Sequence, residues 1–357
     1  MKKTLKNIAD MMHQADPTAC FAFEFWDGDT ICFGSEPQVT LLFKTKNAAK
    51  RIIANGFLGF GEAYMAGELE IDKDMQVLFR LGFAINFDDY RLSFRQKCRF
   101  FILSLLNQDT LRRTPQNISF HYDRSNKFYP LYLDKTMAYS CAYFKNPDDS
   151  LDQAQLNKYE HISRKLLLKP HESLLDIGCG WGGMLIYAAQ QSRIIGVGNT
   201  LSQNQHEYAN RKIKELGLQN QIKVLNQDYR QLSGKFDKLV SIGMFEHVGK
   251  KFMPVFMQKI SQLLKPGGLG LLHTIGKEIA SPMDPWTSKY IFPGAYLPAL
   301  HEITYEMGKA GFSILDVENL RLHYAKTLDK WAENFEKNID KIRELYGEAF
   351  IRRWRLF

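Results

Sequence analysis

Residues 174–183 read Leu-Leu-Asp-Ile-Gly-Cys-Gly-Trp-Gly-Gly, a short apolar run that ends in a carboxylate and a glycine-rich turn. A helical pattern from Met184 to Gln190 follows directly. Glycines let the backbone bend tightly and approach a ligand closely, because no side chain intervenes. The segment therefore predicts a strand, a ligand-binding turn and a helix.

The glycine spacing alone fits two kinds of cofactor site. Gly178, Gly180 and Gly183 match the dinucleotide pattern G-x-G-x-x-G. A nicotinamide site also needs an acidic residue at the end of the second strand, but residues 193–200 contain no carboxylate. The acid is instead Asp176, which gives the D-x-G-x-G-x-G form typical of class I methyltransferases. This favours S-adenosylmethionine over a nicotinamide, and a glycine turn that binds no ligand is the remaining alternative.

The bulk properties indicate a globular protein with an anionic partner. The 357 residues are long for one domain and suggest two, and 45% hydrophobic residues allow a sizeable core. A net charge of +8 and a pI near 9.0 favour a membrane surface or a nucleic acid as partner.

The cysteines and the amino terminus predict a cytoplasmic location. The five cysteines form no C-x-x-C pair, so we expect reduced thiols; they are Cys20, Cys32, Cys98, Cys141 and Cys179. The first residues lack the apolar core of a signal peptide. No run approaches the roughly 18 apolar residues of a spanning helix. Any membrane contact is therefore expected to be peripheral.

The chain divides into two predicted domains. Residues 1–115 carry no nucleotide motif and are predicted to form a small α+β domain for lipid, membrane or dimer contact. Its predicted elements are strands in Phe21–Trp26 and Thr30–Gly34, joined at Asp27-Gly28, and helices from Asn47 and over Met75–Phe83. Thr114–Asn117 is the predicted linker, and residues 116–357 form the predicted catalytic domain.

Strand and helix patterns alternate from Ser173 onward. The predicted strands are Leu174–Asp176, Ile194–Val197, Ile222–Asn226, Lys238–Ile242 and Gly268–Thr274. Lys265–Gly268 is a predicted sharp turn into the last of them, and Gln203–Leu216 is an amphipathic helix. This alternation predicts an α/β fold with a doubly wound, Rossmann-like parallel sheet. Its ligand crevice should lie at the carboxyl ends of the strands.

Polar residues fall where that crevice is expected. Glu246 follows the fourth strand, His273 ends the fifth, and Asp228 and Tyr229 follow the third and could flank an adenine. Cys141 lies upstream, at a position that topology alone does not fix. Each has an ordinary structural alternative: a core histidine, a helix cap, or a small buried thiol. Their wide separations match no zinc-ligand spacing, so we predict no metal site.

Several longer motifs carry a family resemblance. They are His121-Tyr122-Asp123, Tyr139–Tyr143, Leu174–Gly183, Ser241–Gly249, Leu271–Gly276, Asp284-Pro285-Trp286, Lys289–Gly294, and His323-Tyr324 before Thr327-Leu328. In these motifs the chain resembles the cyclopropane-fatty-acyl-phospholipid synthases, a family that includes the mycolic acid cyclopropane synthases. Gly61–Met65 is also similar to the bacterial phospholipid-acting members, whose extra domain the mycolic enzymes lack.

The resemblance implies two sets of site residues. The set implied for S-adenosylmethionine is Tyr139, Ser140, Asp176, Gly178, Cys179, Gly180, Trp181, Gly182, Thr200, Gln205, Asp228 and Tyr229. The set implied for a bicarbonate ion, which acts as the base, is Cys141, Glu246, His273 and Tyr324 with the Ile275 backbone. The four side chains of the second set are the expected catalytic residues. Thr200 and Gln205 would hold the ribose without an acid.

The implied chemistry is addition of a methylene group to a cis alkene. An unactivated alkene is a weak nucleophile, so the sulfonium methyl must be presented at close range. Methyl transfer leaves a carbocation, and one proton must leave the new methyl group before the ring closes. Such a cation needs aromatic faces and excluded water, and Tyr290 and Phe292 lie in a matching motif. A small held anion accepts the proton without offering a carboxylate that the cation would alkylate.

The implied substrates are unsaturated phospholipids of the membrane, reached by peripheral contact at its inner face. Residues 90–103 form a basic amphipathic pattern with Arg91, Arg95, Lys97 and Arg99. This helix could lie on anionic lipid, and a solvated or domain-packing face is the alternative. We expect a homodimer, and no nucleic-acid partner because no RNA-binding module is evident.

Departures from the family pattern keep alternatives open. Residues 121–127 read His-Tyr-Asp-Arg-Ser-Asn-Lys where relatives have H-Y-D-x-G-N-D, and the sequence stops before the further helix and tail that relatives generally carry. One alternative is methylation of an acyl chain or an amine without ring closure, although the retained bicarbonate set argues against it. Others are a basic nucleic-acid methyltransferase and a lipid-binding protein without activity.

Overall fold

The computed structural model describes residues 1–84 and 127–357, which form two compact units. Among the described residues, one unit comprises residues 1–84, 284–291 and 340–357, and the other comprises residues 127–283 and 292–339. The predicted domain boundary after residue 115 and the linker Thr114–Asn117 lie outside the described residues. Residues 284–291 and 340–357, which the sequence analysis assigned to the catalytic domain, group with the amino-terminal unit.

The described helices and strands follow one another in this order: α1 (Lys2–Ala15), β1 (Phe21–Glu24), β2 (Thr30–Phe33), β3 (Val39–Phe43), α2 (Lys46–Asn55), α3 (Phe57–Met65), β4 (Leu69–Lys73), α4 (Met75–Ala84), α5 (Leu151–Lys165), β5 (Ser173–Ile177), α6 (Gly183–Ser192), β6 (Ile195–Thr200), α7 (Gln203–Glu215), β7 (Ile222–Asn226), β8 (Phe236–Ile242), α8 (Met253–Leu263), β9 (Leu264–His273), α9 (Pro285–Tyr290), α10 (Leu300–Lys309), α11 (Arg321–Lys337), α12 (Ile339–Tyr346) and α13 (Glu348–Leu356).

The amino-terminal unit contains a four-stranded mixed sheet in the order β2-β1-β3-β4. The predicted hairpin is present, with β1 antiparallel to β2 and Glu24 opposite Thr30. Strands β3 and β4 were not predicted. Yet β3 alternates buried and half-buried residues along Val39–Phe43, as a strand with one covered face should.

Specific side-chain contacts attach the two carboxyl-terminal segments to this unit. A Cβ on Gly61 would lie 2.3 Å from the indole of Trp286, so only glycine allows α3 to approach α9 this closely. Glu62 accepts hydrogen bonds from Lys289 Nζ at 2.7 Å and from the Tyr290 hydroxyl at 2.9 Å. Arg352 of α13 forms a bidentate pair with Glu70, at 2.8 and 2.6 Å. These long-range contacts account for the discontinuous unit.

The second unit contains a five-stranded, all-parallel sheet in the order β7-β6-β5-β8-β9. Buried apolar residues lie on both faces of it, under α5–α7 on one side and α8 on the other. This arrangement confirms the predicted doubly wound α/β fold. Because the strands are parallel, the segments that follow them meet at one edge of the sheet, where a ligand crevice forms.

The five strands correspond to the predicted ones with shifted ends. Ile222–Asn226 is reproduced, and the first, second and fourth strands are each two residues longer than predicted, the second also starting one residue later. The prediction for the fifth was wrong at its start. Leu264 already pairs with Phe236, and the next pairs join Leu269 to Lys238, so the predicted turn Lys265–Gly268 is an irregularity within β9. Gly267, at φ 75°, supplies the positive φ that this irregularity needs.

Within residues 1–84 and 127–357, no helix is both long and apolar enough to cross a bilayer.

Candidate active site

The glycine turn lies between β5 and α6. Gly178, Gly180 and Gly182 adopt φ values of 76°, 56° and 85°, which residues with a Cβ rarely adopt. The Cys179 amide donates to the Asn199 carbonyl at 2.9 Å, which fixes the turn against the end of β6. The turn therefore presents bare backbone at the carboxyl edge of the sheet.

A cavity at this edge brings together eleven of the twelve residues predicted to bind S-adenosylmethionine. Those in its wall are Tyr139, Ser140, Asp176, Gly178, Cys179, Gly180, Trp181, Thr200, Gln205, Asp228 and Tyr229. Gly182 lies beside the cavity as the N-cap residue of α6. The ends of three strands, β5, β6 and β7, and the 139–140 segment thus contribute to one wall.

Thr200 and Gln205, the predicted ribose pair, are in direct contact. The Thr200 hydroxyl donates to Gln205 Oε1 at 2.6 Å, and both side chains are buried. The Ser202 hydroxyl accepts from the Gln205 amide and so caps α7, which fixes the start of that helix. The pair is rigidly placed beside the glycine turn.

Asp228 and Tyr229 are the residues predicted to flank the adenine of the cofactor. Asp228 caps a 3-10 helix and accepts from Arg230 Nε at 2.7 Å. The Tyr229 ring packs edge-on against Phe256, and burial raises the pKa of its hydroxyl to about 12. The tyrosine is therefore neutral at physiological pH and its ring orientation is fixed.

The cavity also has wall residues that the sequence analysis missed. Among them are Met137, Lys158, Asn199, Met244 and His247. Lys158 had a usable signal: it lies on the buried face of α5 with Gln155 and Ile162, where helical spacing otherwise predicts apolar residues. Asn199 lies on β6 and His247 in the 3-10 helix Phe245–His247, whereas Met137 and Met244 lie on loops whose course depends on tertiary contacts.

Lys158 and Asp176 place opposite charges in this wall. Lys158 Nζ donates to the Ser140 hydroxyl oxygen at 2.8 Å. Burial lowers the pKa of Lys158 to about 8, although nearby Asp134, Cys141 and Asp176 counteract it. Burial raises the pKa of Asp176 to about 7, and the charge of Lys158 opposes that rise.

Three of the four predicted catalytic side chains lie close together. The Ile275 amide donates to Glu246 Oε1 at 2.6 Å, which joins the segments after β8 and β9. Glu246 Oε2 is buried without a hydrogen-bond partner among the described residues. Burial raises the pKa of Tyr324, and a negative charge on Glu246 or Cys141 would raise it further. Tyr324 therefore lies near both Glu246 and Cys141.

His273, the fourth, is placed differently. Its carbonyl accepts from the Gly243 amide at 2.9 Å, but within the described part of the chain its imidazole hydrogen-bonds to no other side chain. Burial lowers the pKa of His273 to about 4, and the charge of Lys158 lowers it further. The ring is therefore neutral at pH 7.

Helix α11 holds the segment that carries Cys141. The Thr327 hydroxyl accepts from the Ala142 amide at 3.0 Å, and His323 Nδ1 accepts from the Phe144 amide at 3.0 Å. The Tyr143 ring stacks between His161 and His323, at 4.2 and 4.4 Å between ring centroids. These contacts bring Cys141 to the carboxyl edge of the sheet, a position that topology alone did not give.

Burial also keeps the Cys141 thiol protonated. It raises the pKa of Cys141 to about 11, and Lys158 and Thr327 offset only part of the rise. Among the described residues, no cluster of three His, Cys, Asp or Glu side chains has the arrangement of a metal site.

Known protein families and curated proteins resemble this chain over most of its length. Residues 109–357 match the family described as mycolic acid cyclopropane synthetase, and residues 8–86 match a domain of unknown function. A probable fatty acid methyltransferase from Pseudomonas putida is 38% identical over 94% of this chain and 85% of its own length. The cyclopropane-fatty-acyl-phospholipid synthase of Escherichia coli (strain K12) is 38% identical over 89% of this chain and 82% of its own length.

Solved structures agree with these sequence relationships. The cyclopropane synthase MmaA2 from Mycobacterium tuberculosis is 33% identical, with a TM-score of 0.64 over 67% of this chain and 89% of that one. The mycolic acid cyclopropane synthase CmaA1, complexed with SAH and CTAB, is 34% identical with the same TM-score and coverage. The parallel sheet, the family match and these relatives together establish that the chain belongs to the mycolic acid cyclopropane synthetase family.

Proposed function

We propose that this protein transfers the methyl group of S-adenosylmethionine to the cis double bond of unsaturated phospholipid acyl chains and closes a cyclopropane ring. The observation that carries the proposal is the cavity at the carboxyl edge, which collects eleven of the predicted cofactor residues. Its wall includes Ser140 and Met244, next to Cys141 and close in sequence to Glu246. The methyl donor and the proton-removing group would thus occupy adjoining sites.

The cavity fits an adenosyl cofactor on structural grounds. A Cβ at Gly180 would meet no atom within 4 Å, so this bare backbone borders open space that a ligand can fill. Thr200 and Gln205 offer a hydroxyl and an amide for ribose hydroxyls, in place of the missing acid. The relative CmaA1, complexed with SAH, supports the same assignment here.

The second set of residues fits a small oxyanion. Glu246 Oε2 is a buried polar atom that lacks a partner among the described residues, and burial raises the pKa of the Glu246 carboxyl. Tyr324 and Cys141 are neutral donors, because burial raises the pKa of both groups. We propose that these residues and His273 hold bicarbonate, which supplies the base when bound. The Ile275 amide, also predicted for this role, donates to Glu246 in this structure.

The residues of this chain fix the positions of the groups around the bound anion and exclude water from them. The bond between Ile275 and Glu246 fixes the carboxyl between the ends of β8 and β9. Helix α11 fixes Cys141 and carries Tyr324 itself. Rigid, largely buried neutral donors such as Tyr324 and Cys141 strengthen the electrostatic hold on a bound anion. The proton that the methylated acyl chain must lose before the ring closes would pass to the base that these residues hold.

The test is product analysis. The protein is incubated with labelled S-adenosylmethionine and vesicles of a phospholipid with one cis double bond, and the released fatty acids are analysed by mass spectrometry. A cyclopropane and a methylene-branched chain have the same mass, so proton NMR or mild hydrogenation must separate them. A ring product is expected. A branched product would instead support acyl methylation without ring closure, and no product would refute both.

We further propose a cytoplasmic homodimer that reaches its substrate by peripheral contact with the inner face of the membrane. The basic segment 90–103 assigned to this contact lies outside the described residues. Its test is vesicle co-sedimentation of a variant with glutamate at Arg91, Arg95, Lys97 and Arg99. A control variant carries the same charge change at exposed Lys214, Lys223, Lys337 and Lys341.

Binding to anionic vesicles should weaken in the first variant and persist in the control. Equal binding by both variants would contradict the assignment. Sedimentation velocity of the unmodified protein checks the dimer.

A further inference from the structure

A buried cation in the cavity has no role in the chemistry proposed above. Lys158 lies on α5 and only 2% of its surface is exposed, yet it forms part of the cavity wall. Placing an ammonium in the interior is costly unless charge or hydrogen bonds compensate. The compensation visible in the structure is incomplete, which points to a ligand.

The contacts of Lys158 leave donor capacity unused. An ammonium has three N–H groups, and the described residues give it one hydrogen bond, from Nζ to the Ser140 hydroxyl oxygen at 2.8 Å. The Tyr159 ring lies 4.8 Å from Nζ. Among residues 1–84 and 127–357, the acids near Lys158 act on it through their charge alone, without a hydrogen bond.

The nearest acids have other partners or lie too far away to pair. Asp134 uses both carboxylate oxygens locally: Oδ2 accepts from the Thr136 amide at 2.7 Å and Oδ1 from the Ala138 amide at 2.8 Å. Asp176 acts on Lys158 through its charge without a hydrogen bond. The ammonium therefore faces the cavity as a positive charge held in place by Ser140.

Ser140 extends this charge into the cavity. Its hydroxyl oxygen accepts from Lys158, so its own proton is directed to another acceptor. Its carbonyl accepts from Gln155 Nε2 at 2.9 Å, which fixes the backbone. Ser140 and Lys158 together form an ammonium–hydroxyl pair suited to a carboxylate.

We propose that Lys158, together with Ser140, binds the α-carboxylate at the methionine end of S-adenosylmethionine. This inference rests on the proposed cofactor. Asp176, in the same wall, is placed to attract the α-ammonium of the same zwitterion, and Thr200 and Gln205 remain for the ribose. Because burial lowers the pKa of Lys158 only to about 8, it still carries its charge at pH 7.

The experiment compares two ligands that share the adenosine and the thioether. S-Adenosylhomocysteine carries the amino-acid end, and 5′-deoxy-5′-methylthioadenosine lacks it. Calorimetric titration of the full chain at pH 7 measures both dissociation constants for the unmodified protein, Lys158→Met and Lys158→Arg. Methionine keeps the length of the apolar side chain and removes the charge.

Lys158→Met should weaken S-adenosylhomocysteine binding by at least about tenfold, the effect expected of a charged hydrogen bond. Binding of the methylthioadenosine should change by less than about twofold, and Lys158→Arg should restore part of the loss. Equal losses for both ligands would assign Lys158 a structural role and overturn the proposal. An unchanged affinity for S-adenosylhomocysteine would overturn it as well.

Ser140→Ala keeps the proposal testable if Lys158→Met fails to fold. It should reduce the preference for S-adenosylhomocysteine in the same direction, and an unchanged preference would overturn the proposed pair. In the double variant the two losses should be less than additive, because the side chains act together. If the unmodified protein binds neither ligand, the proposed cofactor itself is refuted; if it binds both, only the role of Lys158 is at issue.

Discussion

Gly178→Ala should destabilise the second unit more than the same change at Gly180. Both glycines adopt positive φ, 76° and 56°, so each alanine meets a left-handed backbone cost of about 1–2 kcal/mol. At Gly178 the new Cβ would also lie 2.4 Å from Met244 Cγ and 2.6 Å from Met244 Cβ. At Gly180 it would meet no atom within 4 Å.

The difference in the free energy of unfolding between the two variants measures the cost of the clash between the new Cβ and Met244. Overpacking of this kind costs about 1–3 kcal/mol, so the expected losses are about 2–5 kcal/mol for Gly178→Ala and ~1–2 kcal/mol for Gly180→Ala. The loss of unfolded-state entropy on replacing glycine is common to both and cancels. Met244 directly precedes the 3-10 helix that carries Glu246, so Gly178→Ala should also disturb that carboxyl.

Urea unfolding measures these losses. Because the chain has two units, the transition that S-adenosylhomocysteine shifts to higher urea is the one to compare, since a ligand stabilises the unit that binds it. If Gly178→Ala is no less stable than Gly180→Ala, the close approach of Gly178 to Met244 is wrong. If both variants match the unmodified protein, the positive φ assignments are wrong as well.

Three further predictions concern the site. Glu246→Gln should keep S-adenosylhomocysteine affinity within about twofold, since Glu246 lies outside the cavity wall, and lose most turnover; a large loss of affinity would move Glu246 into the cofactor site. Thr200→Val should lower the free energy of unfolding by about 1–3 kcal/mol, because it leaves the buried Gln205 carbonyl without its donor, and urea unfolding checks this. Cys141 should resist iodoacetamide at pH 8 in the folded protein, because its pKa of about 11 and its burial keep it a thiol; peptide mass spectrometry that finds rapid modification would contradict this.

The catalytic sheet was predictable because its signals are local. Ile222–Asn226 and its neighbours are short apolar runs between helical patterns, and this alternation permits few topologies. The glycine turn directly predicted that a ligand binds at the carboxyl edge of the sheet. By contrast, β4 reads Leu-Glu-Ile-Asp-Lys, and its charges mask the strand pattern. The start of β9 was missed because proline and glycine predict a turn even where pairing continues through an irregularity.

The parts of the site that escaped prediction depend on contacts between distant residues. Cys141 is fixed by the bond between Ala142 and Thr327, which are 185 residues apart. The role proposed for Lys158 follows only from its hydrogen bond to Ser140, which the sequence does not indicate. Likewise, no local pattern indicates that Trp286 belongs against Gly61 in the amino-terminal unit.

The discontinuous amino-terminal unit has a consequence for biosynthesis. Its sheet is made early, but Trp286 and Arg352, which complete its packing, are synthesised only after all five strands of the parallel sheet. Until then Gly61 and Glu70 lack their partners, so the nascent unit exposes surface that is covered in the finished protein. The amino-terminal unit should therefore complete its folding only after the parallel sheet has been synthesised, and a chaperone that shields the nascent amino-terminal sheet would raise the yield of native protein.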